Sequence, residues 1–451
     1  MTPVGRRLRL RHLWLLIPFW IAAWRAGRTI GDNSFLWHVR TGLDQSLAGE
    51  VIRTDPYSFT KAGEPWRTQS WLIELGYARL EDWFGDLRWV PVFLFFAIGL
   101  VLVVVLAGLL RSGTSLMGAA IVLFLVSWVF QPYMSPRPVL VSYVIFALVG
   151  LVVAARKPPL WVVPGLLWLW ASVHGSFIVG LGVLVLDAMR RRDRRSWLAV
   201  GVGVVAVSVT AHGLAIWEIL YRFAINREGL EGIQEWLPPD FTNYALVATL
   251  PLLGLLMVGL ATQRIEVGAL WILIPMVAFA LLSTRNVLPA LLVMAPWLGA
   301  SATVVPELAE QQLKPPLVWL TAAAIIISGV ALVARPAELR SGRFPSRDLV
   351  TSLGTEPVFH RMASGGAIIY YEGSARQVFV DDRVELYGSE FLAAQRAASA
   401  GDEWRALFAE WDIAQVLLHE DEVLVRRLVD DGWTACEADD EFLVLKPVCG
   451  P

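Results

Sequence analysis

Apolar residues in this chain fall into long unbroken runs, separated mostly by short polar connections. The runs cover about residues 13–24, 89–110, 115–130, 138–155, 159–173, 176–189, 196–217, 244–262, 267–283, 287–303 and 315–335. Runs without a polar face belong inside a protein or in lipid. Crossing the hydrocarbon core takes roughly 20 residues of helix, so the pattern predicts a polytopic α-helical membrane protein of about eleven spans, several of them short. Pro158-Pro159 and Pro164 flank or interrupt the fifth run. The fifth and sixth therefore read either as two crossings or as a re-entrant hairpin around His174-Gly175, and both leave the later orientation unchanged. The first run follows Arg6, Arg7, Arg9 and Arg11 and leads through Arg25 and Arg28 without a small-residue cleavage site, so it reads as a retained helix.

Two stretches break the pattern. Residues 32–60 are polar and aromatic, with Asp32, His38, Arg40 and Asp55, and Trp66 follows, all outside any apolar run. From about residue 337 the chain reads as a soluble α/β domain: strands at 367–371, 377–382, 413–418 and 442–446, and helices at 389–400, 403–411 and 421–430. The expected division is a membrane domain over 1–336, carrying a first outer loop at 27–88, and an extracytoplasmic α/β domain over 337–451. No internal repeat is visible.

Composition agrees with the pattern. The 451 residues are 56% hydrophobic and 17% charged, with a mean hydropathy of +0.55, against roughly 25% charged residues in soluble domains. The lipid bilayer is the expected partner, and nucleic acid is not one. The formal net charge of −2 hides an asymmetry that orients the chain. With the N-terminus in the cytoplasm, Arg111, Arg156, Lys157, the basic run 190–195, Arg264 and Lys314 lie inside with the N-terminal four, about 14 basic residues. About 4 (Arg137, Arg222, Arg227, Arg285) fall in short outer loops. That is the positive-inside bias. An odd number of crossings then puts residues 32–60 and the C-terminal domain on the outer face. Cys436 and Cys449 are too few for a metal site and would pair in an oxidising compartment.

The outer side collects Asp32, His38, Arg40, Arg137, His174, His212, Glu235 and Arg285-Asn286 at or near ends of runs. Ionisable groups at membrane depth are costly and often mark a substrate path. Each also has a plainer reading. Arg137 and Arg285 either snorkel to headgroups or hold a lipid phosphate. His174 and His212 sit beside glycines, where histidine commonly caps a helix. Glu235, with Trp236 and Pro238-Pro239, either anchors a loop or takes part in binding. Asp32 is either a helix N-cap or a proton acceptor. The 381–385 segment (Asp381, Asp382, Arg383, Glu385) reads as a solvated acidic turn or a glycan contact.

Asp32-Asn33-Ser34-Phe35-Leu36-Trp37-His38-Val39-Arg40-Thr41-Gly42, the run from Arg53-Thr54-Asp55-Pro56 to Thr60, Pro65-Trp66 and Trp71-Leu72 together resemble the first outer loop of a bacterial group of polytopic GT-C-type glycosyltransferase-like proteins. In that group the loop reads roughly D-x-D-x-W-W-H-L-x-T-G, R-T-D-P-F-S-[FY]-T, G-x-P-W and W-L. Arg137-Pro138, Trp170 with His174-Gly175, Glu235-Trp236, Arg285-Asn286 and Val378-Phe379-Val380-Asp381-Asp382-Arg383 are similar to further pieces of it. The resemblance implies transfer of a sugar from a polyprenyl-phosphate or diphosphate donor on the outer face of the plasma membrane, with an acidic residue of the first outer loop acting at the acceptor. Ser34, Leu36, Ser172 and Thr210-Ala211 depart from the pattern. Ser34 replaces the second acid, which weakens the case for a divalent metal.

The expectation is therefore a cell-envelope glycosyltransferase acting on a glycan, lipid or protein acceptor, without a cofactor. Asp32 is the expected base, taking the proton of the acceptor hydroxyl. Arg137, Arg285, His38 and His174 would bind the donor phosphate, and Arg40, Glu235, Trp236 and Asn286 would position acceptor or loops. The alternative is a non-catalytic carrier or assembly protein for a lipid-linked glycan.

Overall fold

The computed structural model describes residues 10–225, 234–306, 315–340 and 342–449. Arg6, Arg7, Arg9, Arg227 and Lys314 of the loop-charge argument lie outside these, as do the side chains of Arg11 and Arg222. The chain divides into two compact units, one of residues 1–28, 87–210 and 232–337 and one of 29–86, 211–231 and 338–451. The unit changes after Ala337, and residues 29–86 group with the C-terminal residues.

Every apolar run holds an α-helix. Among the described residues three helices are long and apolar enough to cross a membrane: Val90–Arg111, Leu116–Tyr133 and Pro316–Val333. The first unit packs around Val287–Ala302, a helix buried on nearly every side. Lipid gives apolar helices no hydrophobic reason to associate, so close packing through small residues must supply it. A methyl on Gly150 would sit 2.6 Å from the Val293 carbonyl oxygen, and one on Gly299 2.8 Å from the Leu109 Cα. Ser112 and Thr114 add hydroxyl donors to the carbonyls of Pro296 (2.7 Å) and Gly299 (2.6 Å). Phe96, Leu100 and Val103 stay exposed on Val90–Arg111, as a lipid-facing side would. Arg190 and Arg191 of the basic run hold the buried Asp187 and donate to the Val153 carbonyl, which ends the helix Val139–Ala154.

The second unit is built on α1 (Asn33–Ala48), α2 (Trp71–Phe84), α3 (Met362–Glu372), α4 (Val423–Asp430) and a four-stranded sheet. The strands are β1 (Val358–His360), β2 (Gln415–His419), β3 (Thr434–Ala438) and β4 (Phe442–Lys446), in the order β1-β2-β4-β3. β1 and β2 are parallel, with Phe359 opposite Val416, and the other pairs are antiparallel. Trp37, Tyr57 and Trp66 share one core with Val358, Ile368, Leu417 and Val444. Cys436 on β3 is bonded to Cys449, just beyond β4.

The segment 27–88 holds two helices, α1 and α2, and Asn33, Thr41, Gly42 and Gln45 occupy the buried face of α1 beside Phe35, Trp37 and Val39. Two expectations are corrected here. Residues 367–371 lie in α3, not a strand. Gly365 and Gly366 bring α3 against Val380 and Asn33, where a methyl would collide with backbone oxygens of both, and Asn33 fastens the contact through Met362 O (2.9 Å) and Gly366 N–H (2.8 Å). Residues 377–382 make only an isolated bridge, Ser58 with Val378. The Phe379 N–H donates instead to His360 Nε2 at 3.0 Å, so the β-like composition of that segment serves a core plug buried on both sides.

Candidate functional site

In the first unit, the ends of several apolar helices bring Arg137, Glu235 and Arg285 together. Glu235 Oε1 lies 3.3 Å from Arg285 Nη1 and 3.8 Å from Arg137 Nη1. Trp236 lies under the Arg285 guanidinium at 4.9 Å. Ser283 Oγ donates to the Glu235 carbonyl (2.8 Å), Thr284 N–H to that of Leu237 (2.8 Å), and Tyr133 OH to that of Thr284. Asn286 closes the helix Leu270–Leu282 by donating to Phe279 O at 3.0 Å. All five side chains expected from the sequence around this cluster are therefore neighbours, with two guanidiniums facing one carboxylate. Each arginine keeps about 30% of its side chain accessible, so an anion can still approach. His174 has a local role: its Nδ1 accepts the Ser176 N–H at 3.1 Å, in the turn between Val163–Val173 and Phe177–Arg191.

In the second unit, Asp32 is the N-cap of α1. Its backbone is extended (φ −105°, ψ 112°) and its Oδ1 accepts the Phe35 N–H at 3.3 Å. One turn on, Trp37 donates to Asp382 Oδ1 at 2.7 Å, and Ser34, where the related pattern has a second acid, donates its hydroxyl to Asp382 as well. His38 follows. Its Nδ1 lies 2.6 Å from Oε1 of Glu74 on α2. Glu74 has no solvent exposure, and it also accepts from Thr68 Oγ1 (2.5 Å) and Gln45 Nε2 (2.8 Å). The carboxylate thus meets the imidazole at Nδ1, and Nε2 is the ring nitrogen turned away from it. The Thr68 carbonyl accepts in turn from His212 Nε2 at 2.7 Å, which ties a second sequence candidate to the same network. Arg40 faces elsewhere on α1. It pairs with Asp44 at 2.9 Å, and Asp44 takes the Tyr57 hydroxyl at 2.9 Å.

Sequence reasoning missed Glu74. Its one signal is a carboxylate inside the otherwise apolar run Trp71-Leu72-Ile73, where a buried acid needs partners. Gly42 completes the arrangement, since α1 lies so close to α2 there that a methyl would collide with the Glu74 carbonyl.

The acidic segment after Val380 is neither solvated nor available to a glycan at its centre. Arg383 is buried and donates from Nε to Asp381 Oδ1 (2.8 Å), from Nη2 to Asp381 Oδ2 (2.5 Å) and from Nη1 to Asp55 Oδ1 (2.6 Å). Its guanidinium lies over Trp66 at 4.5 Å and Tyr57 at 5.4 Å. Tyr387 OH donates to Asp381 Oδ2 at 2.8 Å. Asp55 also accepts the N–H groups of Tyr57 and Ser58 at 3.1 Å each. The Asp55 motif and the Asp381-Asp382-Arg383 motif, more than three hundred residues apart in sequence, are thus two halves of one buried clamp. His360, fully buried nearby, is held neutral: burial lowers its pKa from 6.5 to about 4.

Among the described residues, no three His, Cys, Asp or Glu side chains converge as a metal set would require. Comparison with protein-family models and with curated proteins finds no match to this chain.

Proposed function

We propose that the protein is an integral-membrane glycosyltransferase of GT-C type that moves a sugar from a polyprenyl-phosphate-linked donor to an acceptor on the external face of a bacterial plasma membrane. The observation that carries the reading is the His38–Glu74 pair, a half-buried imidazole oriented by a fully buried carboxylate at 2.6 Å. The attacking hydroxyl must lose a proton as it reaches the anomeric carbon, and a base whose other nitrogen is fixed by a carboxylate suits that step. His38 Nε2 takes the proton and Glu74 stabilises the imidazolium. Asp32, whose Oδ1 is engaged at the start of α1, is assigned to orienting the acceptor in place of the base role expected from the sequence. Arg137 and Arg285 are assigned to the phosphate that leaves with growing negative charge, a task suited to planar guanidiniums. His174 holds its own turn in the same unit through the Ser176 N–H and is assigned to the donor side with these arginines.

In this reading the chain crosses the membrane about eleven times, with the N-terminus in the cytoplasm and the α/β part outside. The loop-charge asymmetry supports that orientation, and the Cys436–Cys449 bond fits an oxidising compartment.

The test is full-length protein in liposomes, supplied with polyprenyl-phosphate and polyprenyl-diphosphate sugars and a membrane extract as acceptor source. Wild type should transfer labelled sugar, and Asp32→Asn and Arg285→Gln should each transfer it at least about tenfold more slowly. Donor binding without transfer in the wild type would replace the enzyme with a carrier of lipid-linked glycan.

A further inference from the structure

A groove of about 680 Å³ opens in the second unit at the edge where β1 and β2 end. The two strands are parallel, so both carboxyl ends point to it. The chain leaves β1 directly into α3, and leaves β2 through Asp421 and Glu422 into α4. Open α/β sheets take ligands in crevices of this kind, outside the carboxyl ends of parallel strands. Arg361 and Ser364 lie on one wall, His419 and Glu422 on another, and Arg340 and Arg343 complete it.

The charges of the groove are unevenly satisfied. Arg361 is paired with Glu422 at 2.7 Å, and His419 Nε2 meets Glu441 at 3.1 Å. Arg340 and Arg343 form no ion pair and no side-chain hydrogen bond among the described residues. They are nonetheless side by side. A turn joins them (Arg343 N–H to Arg340 O, 3.2 Å), Arg340 N–H is anchored on Ile30 O (2.8 Å), and a methyl on Gly31 would touch the Cδ of both at 3.5 Å. Two neighbouring guanidiniums that line one groove supply forked donors suited to a tetrahedral anion. The carboxylates of Glu422, Glu441 and Asp421 around them repel polyanions but accept hydrogen bonds from hydroxyl groups.

We infer that this groove binds a single phosphate attached to a hydroxyl-bearing body, as in a sugar phosphate or the glycerophosphate headgroup of a lipid, with Arg340 and Arg343 as the phosphate ligands. The site is independent of the transferase reading, and its test needs no turnover. Full-length protein in maltoside micelles, which carry no phosphate, is titrated calorimetrically with inorganic phosphate, glucose 1-phosphate, glucose and dihexanoyl-phosphatidylglycerol. Glucose should not bind, and inorganic phosphate should bind more weakly than the organic phosphate. Binding of glucose 1-phosphate that falls at least about tenfold in R340Q/R343Q supports a soluble ligand. The same loss seen only with dihexanoyl-phosphatidylglycerol supports a lipid headgroup. Both arginines are exposed, so the double variant should keep its thermal midpoint, and R361Q provides a second variant lining the same groove. The inference is overturned if no phosphate compound binds, or if binding is unchanged in R340Q/R343Q, whatever R361Q does.

Discussion

Replacing Arg383 with Met removes the cation that bridges Asp55 and Asp381, whose side chains have no solvent exposure. Methionine fills much of the volume under Trp66 and Tyr57, so the change isolates the charge. Asp55 would keep its bonds from the Tyr57 and Ser58 N–H groups and the Ser58 hydroxyl. Asp381 would keep the Tyr387 hydroxyl and the residue-383 N–H. Neither set supplies a full countercharge, and breaking a buried ion pair by removing one partner typically costs about 3–5 kcal/mol. For a unit of this size that lowers the thermal midpoint by on the order of 10 °C. The assay is tryptophan fluorescence of the full chain during heating in maltoside micelles. The triple variant R383M/D55N/D381N should recover most of the loss, because no buried charge is left unpaired. A midpoint for R383M within about 2 °C of wild type, or a deeper loss in the triple variant, would refute the reasoning.

Two further outcomes follow from the second unit. Gly42→Ala should cost about 1–3 kcal/mol, as overpacking does, and should slow sugar transfer because the added methyl must displace the Glu74 backbone; equal stability and turnover would count against the close helix contact. His360 makes stability depend on pH with a defined sign. The unfolded chain binds a proton near 6.5 and the folded chain only near 4, so this contribution is complete above 6.5 and is lost as pH falls, by about 3 kcal/mol at pH 4. Denaturant titrations of wild type and His360→Ala across that window should show a shallower pH slope for the variant, and parallel slopes would exclude the assignment.

The apolar helices were legible because apolar runs need no partner to be recognised: every run holds a helix, from 89–110 (Val90–Arg111) to 315–335 (Pro315–Val333), and three of these are long and apolar enough to cross a membrane. β4 was legible as well, with Phe442 and Val444 on its core side. Asp32 was readable as the N-cap of α1, but the core-facing side of that helix was not, because half of it is polar and becomes a core face only through partners on α2 and α3. Residues 367–371 failed for a related reason: β-branched and aromatic residues favour strands locally, but two glycines upstream let this segment dock as a helix. In the first unit, Arg137, Glu235 and Arg285 could be grouped because each is a charged residue at or near the end of an apolar run. Glu74 could not, since nothing local in Trp71-Leu72-Ile73-Glu74 reveals that His38, Gln45 and Thr68 converge on it. The role of Arg383 was equally hidden, because its second carboxylate partner comes from Asp55, at the other end of the chain.

The most direct measurement is a double-mutant cycle of sugar transfer with His38→Gln, Glu74→Gln and the double variant in liposomes. If the two residues act as one base, each single change lowers turnover by about 10²–10⁴-fold and the double variant is no slower than His38→Gln alone. Undiminished turnover in either single variant, or losses that multiply in the double, would contradict the account.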